Sequence, residues 1–238
     1  MQLNVGMNQF DPARIFCIGR NYAEHAQEMG APKPAEPVVF MKPATSLVPE
    51  GEPLVLPRGR GGVHHEMELV VALGREGKDI AVAAAPGHVA GVTLGIDLTL
   101  RDLQSKLKQA GQPWELSKSF DGSAAIGRFT SWPAEFDFQN LEMRCTVNGA
   151  LRQQGTTRDM LFPVAEIISF LSRHWRLLPG DLIYTGTPAG VGPLVPGDLA
   201  GSVGGAEEVV AWAGRASSSD SPRLGMAHPG PDQYAIIA

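Results

Sequence analysis

Two cysteines among 238 residues, Cys17 and Cys145, are too few and too far apart to build a disulfide framework or a cysteine metal site. Buried free thiols in a reducing compartment are the expectation, which points to the cytoplasm. No apolar run approaches the roughly 20 residues that a membrane helix requires. The opening Met1-Gln2-Leu3-Asn4-Val5 lacks the basic and apolar regions of a secretory signal. Basic clusters are missing as well: 20 Lys and Arg stand against 25 Asp and Glu, a net charge of −5. That balance argues against nucleic acid or an anionic membrane as the main partner. There is no internal repeat. What abounds is glycine (28) and proline (19), so many turns and short strands are expected within one domain whose 43% hydrophobic content can fill a sizeable core.

The stretch Val63-His64-His65-Glu66-Met67-Glu68-Leu69-Val70-Val71 carries two glutamates spaced i, i+2. On a strand, Glu66 and Glu68 would share one face, with Met67, Leu69 and Val71 on the other. Two carboxylates side by side repel and are costly to bury unless a cation or protons lie between them. Asp97 closes a second apolar run, Leu94-Gly95-Ile96-Asp97. Three carboxylates without clustered cysteine suit a hard divalent cation, Mg²⁺ or Mn²⁺. A lone E-x-E is more often a solvated strand face, so the spacing alone leaves both readings open. Two other motifs fail. Gly59-Arg60-Gly61-Gly62 lacks the G-K-[ST] ending of a phosphate loop, and His65-Glu66 is no zinc-protease signature because position 69 is leucine.

Along the chain, Arg14–Gly19 and Val38–Met41 read as strands. Arg20–Met29 reads as a helix stopped by Gly30, with His25 and Glu28 neighbours at i, i+3. A carboxylate beside an imidazole can orient a general base, although such a pair is also common on surfaces. Ala81–His88 is expected to be a short helix. Leu100–Lys108 is expected to be another, its Arg101 and Gln104 on a face that could turn towards Asp97. Lys118 stands among small and aromatic residues. Asn148-Gly149 between two apolar runs predicts a tight hairpin, because both residues tolerate positive φ. Phe162–Arg173 is an amphipathic helix, and the strand Leu182–Thr185 leads into the glycine-rich Gly186-Thr187-Pro188-Ala189-Gly190-Val191-Gly192, whose amides could approach an anion. From Ala216 the composition turns to Ser, Pro, Gly and Asp. We therefore expect one domain over residues 1–214 and a mobile tail over 215–238.

Taken together, these segments resemble the fumarylacetoacetate hydrolase family, in particular its acylpyruvate-hydrolase branch. The resemblance rests on Ile18-Gly19-Arg20-Asn21-Tyr22 with His25 and Glu28, His65-Glu66-Met67-Glu68-Leu69, Gly95 to Gln104, Lys118-Ser119-Phe120-Asp121, Val147-Asn148-Gly149 and Thr185 to Gly192. It implies an α+β fold, a mixed β-sheet roll or sandwich with a few short helices, usually homodimeric. It also implies Mg²⁺ or Mn²⁺ on Glu66, Glu68 and Asp97, His25 and Glu28 on a lid segment, and Lys118, Arg101, Gln104 and Thr187 around the acid end of a small 2-oxo or 2,4-dioxo acid. The activity implied is hydrolysis of a C–C bond in an acylpyruvate such as acetylpyruvate or fumarylpyruvate. The alternatives on the same site are oxaloacetate decarboxylation or tautomerisation, isomerisation of a dienoic diacid, or a non-catalytic dicarboxylate-binding role. One departure stands out. After Pro196-Gly197-Asp198 relatives close with a strand of alternating charged residues, whereas Leu199 to Gly205 here is glycine-rich.

Overall fold

The computed structural model describes residues 2–12, 14–131, 139–204 and 210–218. Its spine is Met67–Leu73, a strand buried on both faces. Met67, Leu69, Val71 and Leu73 pack with Phe16, Ile18 and the helix residues Ile167, Ile168 and Leu171. Val70 and Ala72 point the other way, into a layer with Ile15, Cys17, Leu182 and Tyr184. The period of two thus places Glu68 on the opposite face from Met67 and Leu69, as alternation requires.

This strand is central to an eight-stranded mixed sheet, ordered Val38–Pro43, Arg14–Gly19, Leu182–Tyr184, Met67–Leu73, Val89–Asp97, Ala124–Ile126 and Leu47–Pro49, with Thr130–Ser131 also on Val89–Asp97. A five-stranded sheet packs nearby, in the order Ala150–Thr156, Glu142–Val147, Leu199–Gly204, Val210–Ser218 and Leu54–Leu56. A third sheet of three strands joins Thr99–Leu100, Val63–His65 and Gly192–Leu194. The result is an α+β roll of curled mixed sheets with a few short helices. Among the described residues no helix is long and apolar enough to cross a membrane.

Local chemistry accounts for the elements that were expected. Asn148 (φ 54°) and Gly149 (φ 77°) both take positive φ and turn Glu142–Val147 into Ala150–Thr156, with a register shift after Cys145. The amphipathic helix runs Val164–His174, and the helix bearing Arg101 runs Arg101–Gln109. Cys17 and Cys145 are both free and buried.

Three expectations about local structure are corrected. Val63–Val71 is not one strand: Val63–His65 and Met67–Leu73 belong to different sheets, and Glu66 is the corner between them. The helix expected over Arg20–Met29 shrinks to Ala23–Glu28, since Arg20 adopts φ 60° and cannot start a right-handed helix. Val82–His88 is a 3₁₀ segment containing Pro86, whose ring disfavours α-helix. The glycine-rich Leu199–Gly204 pairs on both sides, because the ladder uses backbone groups that glycine supplies as well as any residue. The last strand, Val210–Ser218, continues past position 214 and pairs with Leu54–Leu56. Of the expected tail, residues 219–238 lie outside the described residues.

Candidate active site

The corner at Glu66 builds the site. Asp97 ends the neighbouring strand, and its amide donates to the Glu66 carbonyl at 2.8 Å. Glu68 lies opposite Gly95 in the same ladder, where the Cβ of any larger residue would strike the Ala125 carbonyl and the Tyr184 ring. Each of Glu66, Glu68 and Asp97 therefore offers a carboxylate oxygen within 4.8 Å of the others. They are 5%, 2% and 0% exposed, so the solvated-face reading of the E-x-E is excluded.

Three buried carboxylates need counter-charge. Lys118, at the end of the short helix Glu115–Lys118, donates to Asp97 Oδ2 at 2.6 Å and to Glu66 Oε2 at 2.8 Å. Arg101 donates to Glu66 Oε1, which also accepts from Thr99 Oγ1 at 3.0 Å. Burial pushes the Glu66 carboxyl up, but Lys118 and Arg101 outweigh it and hold the group below the usual carboxylate range. Burial likewise works against the Lys118 ammonium, yet Asp97 and Glu66 raise it above an ordinary lysine. Glu68 fares differently. Burial and then Asp97 push its carboxyl well up, against the Gly186 amide that donates to Oε2 at 2.7 Å. Gly186 sits at φ 102°, a backbone that side chains resist, so glycine is what lets this amide reach the carboxylate.

Asp97 Oδ1 is buried 2.8 Å from the Lys42 ammonium. The same ammonium is shared with Lys118 O, Ser123 O and Ser123 Oγ. A buried all-oxygen cluster with one carboxyl forced towards its neutral form is compatible with a hard divalent cation.

The remaining expected residues converge here. Arg101 also holds Gln104 Oε1 at 2.6 Å, so the pair turns towards Glu66. Thr187 follows the strand Leu182–Tyr184. His25, 6% exposed, has Nδ1 3.0 Å from Glu28 Oε2, and Glu28 Oε1 accepts the Gly190 amide at 3.2 Å. The helix Ala23–Glu28 is thereby tied to the glycine loop. One cavity is lined by His25, Glu66, Glu68, Asp97, Arg101, Gln104, Lys118 and Thr187, while Glu28 stands behind His25.

The family described as fumarylacetoacetate (FAA) hydrolase, C-terminal, matches residues 14–220. The chain belongs to the fumarylacetoacetate hydrolase family. Oxaloacetate tautomerase YcgM of Escherichia coli is 45% identical over 188 residues, 78% of this chain and 85% of that relative. A crystal structure of fumarylpyruvate hydrolase from Pseudomonas aeruginosa in complex with Mn²⁺ and pyruvate superposes with a TM-score of 0.84 at 33% identity, covering 99% of this chain and 96% of that one. The 2-hydroxyhepta-2,4-diene-1,7-dioate isomerase from Mycobacterium marinum follows with a TM-score of 0.76 at 32% identity, covering 92% and 84%. These relatives are enzymes, and their names span tautomerase, hydrolase and isomerase.

Two residues that hold this cluster in the fumarylacetoacetate hydrolase family member escape a reading of the sequence. One is Lys42, 1% exposed at the end of an edge strand. The other is Gln153, fully buried on the hairpin: its Oε1 accepts the Met67 amide at 2.9 Å and faces His65 Nδ1 at 3.0 Å, and its Nε2 donates to Thr187 Oγ1 at 2.7 Å and Pro188 O at 2.9 Å. Gln153 thus joins the glutamate corner to the loop of Thr187. The one sequence cue for either residue is a polar side chain inside a strand.

Proposed function

We propose that this protein is a divalent-metal-dependent enzyme of small 2-oxo acids, and that it interconverts the enol and keto forms of oxaloacetate. The observation that carries the reading is the Glu66–Glu68–Asp97 cluster bridged by Lys118. Glu66, Glu68 and Asp97 would hold Mg²⁺ or Mn²⁺, which when bound supplies a Lewis acid for the 2-oxo oxygen. Every other role falls to side chains. Arg101, Gln104 and Thr187 offer donors to the acid end of the substrate. In the enol-to-keto direction a proton leaves the C2 hydroxyl and one is added at C3. The His25 imidazole, held by Glu28, is the group that can carry a proton in this cavity. The Lys118 ammonium favours the enolate between the two transfers. The 45% identity to an oxaloacetate tautomerase supports this choice.

Hydrolysis of an acylpyruvate C–C bond is the second reading, and the dyad favours it. An imidazole oriented by a carboxylate could equally take a proton from water, and the same enolate would leave as pyruvate. The likeness to the fumarylpyruvate hydrolase supports it. A panel of enol-oxaloacetate, fumarylpyruvate and acetylpyruvate with Mn²⁺ or Mg²⁺ tests both. Acceleration of enol loss, without release of pyruvate from the acylpyruvates, is the expected result. No acceleration with either metal would refute the tautomerase assignment. The homodimer implied by the resemblance belongs to the same proposal, and a sedimentation measurement checks it.

A further inference from the structure

Four basic side chains line the cavity: Arg20, Arg101, Lys108 and Lys118. Arg101 and Lys118 are paired with Glu66 and Asp97, although the Arg101 Nε keeps no partner. Arg20 and Lys108 have no carboxylate partner among the described residues. They meet instead on one indole: the Arg20 guanidinium lies 5.5 Å, and the Lys108 ammonium 5.1 Å, from the ring of Trp114. Trp114 is itself wedged. A Cβ at Gly19 would come within 3.0 Å of its ring, and Phe40 packs 6.0 Å from it, centroid to centroid.

Arg20 is held in place at a cost. It adopts φ 60°, which a non-glycine residue resists, and the turn persists because Asn21 beside it is fully buried and clamped. Asn21 donates to Thr185 O at 2.7 Å and Phe162 O at 3.1 Å and accepts the Phe162 amide at 2.8 Å. The Arg20 Nε is buried and donates to nothing. A guanidinium with an unused Nε presents the fork that fits a carboxylate. Two partly buried cations sharing one aromatic platform repel each other and gain by gathering an anion between them. The state of Lys108 agrees: burial, then Arg101 and Arg20, lower its ammonium to about 8.

We propose that Arg20 and Lys108, carried on Trp114, form the subsite for a second carboxylate, so that the cavity selects dicarboxylic over monocarboxylic 2-oxo acids. The inference rests on the 2-oxo acid reading above, in which the first carboxylate engages the wall of Arg101, Gln104 and Thr187. It assigns to Arg20 and Lys108 a role in specificity.

The test uses ligand pairs that differ only at the far end. Calorimetry on the full chain with Mn²⁺ compares malate with 2-hydroxybutyrate, in which a methyl group replaces the distal carboxylate. Deuterium exchange at C3 compares oxaloacetate with 2-oxobutyrate in the same way. Wild type should prefer the diacid in both. Arg20→Gln and Lys108→Met should each lower that preference about tenfold to hundredfold, the worth of one charge-assisted hydrogen bond. Lys108→Arg should restore most of it, and melting curves check that all three variants are folded. A wild type without preference, or variants that keep the wild-type preference, would overturn the proposal. A wild type that prefers malate yet catalyses neither tautomerisation nor C–C hydrolysis would sink the proposed function and leave the subsite standing.

Discussion

Glu68→Gln should make the metal-free protein more stable and the metal-loaded protein less so. Glu68 is 2% exposed, receives one backbone hydrogen bond from Gly186, and has its carboxyl pushed well up by burial and by Asp97. A folded value raised above the unfolded one means that the native state holds its proton longer. The stabilisation from that proton is complete below the unfolded value of about 4.3 and is lost as pH rises through the folded value. Above it, folding must bury a carboxylate against two others. Glutamine has the same shape, can still accept from the Gly186 amide, and carries no such penalty. Replacing buried charges by neutral groups of similar volume gains about 1–4 kcal/mol in favourable cases. The new amide must also find acceptors among Glu66 and Asp97, so the lower half, about 1–2 kcal/mol, is the expectation. For a chain of this size that raises Tm by about 2–4 °C per kcal/mol in EDTA. The increment over wild type should grow with pH above about 4 and then level off. With Mn²⁺ at a hundredfold excess over Kd, wild type should gain about 2.7 kcal/mol, and the variant most of that less. Melting curves at several pH values, with EDTA and with Mn²⁺, read both effects. A variant that is less stable in EDTA yet keeps the full Mn²⁺ increment would show that Glu68 is neither strained nor a ligand.

Three further outcomes follow from the same geometry. His25→Ala should slow turnover about a hundredfold or more, the usual worth of a general acid–base group, with the Mn²⁺ increment in Tm retained; full activity would remove the dyad from the chemistry. Gln153→Leu leaves the Met67 amide and the Thr187 loop without their partner and should cost about 2–4 kcal/mol in urea unfolding; a neutral result would mean that the corner and loop are held by other contacts. Because Lys108 lies near about 8, affinity for a diacid should fall as pH rises through that value in wild type and not in Lys108→Met; the groups acting on it are Arg20, Arg101, Lys118 and Glu66, and identical pH profiles would clear Lys108 of the role.

What could be read from the sequence was what depends on near neighbours. Asn148-Gly149 announces its hairpin because the φ preference lies in those two residues. The helices Arg101–Gln109 and Val164–His174 show their buried faces within a few turns. The three carboxylates stood out by type, although their meeting depends on the strand pairing of Met67 with Ile96 and Glu68 with Gly95. Lys42 and Gln153 were invisible for the converse reason. Their partners lie 76 and 81 residues away for Lys42, and 34 to 88 residues away for Gln153. Arg20 misled in its own way, since a good helix former there is forced into the left-handed region by the burial of Asn21 next to it.

The corner at Glu66 shows why a periodic pattern can name the right residues through an incorrect local structure. An unbroken strand from Val63 to Val71 would place Glu66 and Glu68 on one face of one sheet, two residues apart. No proline or glycine in that run signals a break, so alternation is the natural reading. The break comes from outside it. Val63–His65 is claimed by Thr99–Leu100 and Gly192–Leu194, and Met67–Leu73 by Val89–Asp97 and Leu182–Tyr184. Two sets of ladder partners cannot share a straight strand, so the chain turns at Glu66, whose carbonyl takes the Asp97 amide. The turn gives Glu66 different neighbours from Glu68. Glu66 faces Arg101, Thr99 and Lys118 and is held ionised, whereas Glu68 faces the Gly186 amide and Asp97 and is driven towards its neutral form. Two glutamates that the sequence presents as equivalent thus become one carboxylate already neutralised by protein cations and one whose charge still lacks a partner, the charge that the proposed divalent cation would supply.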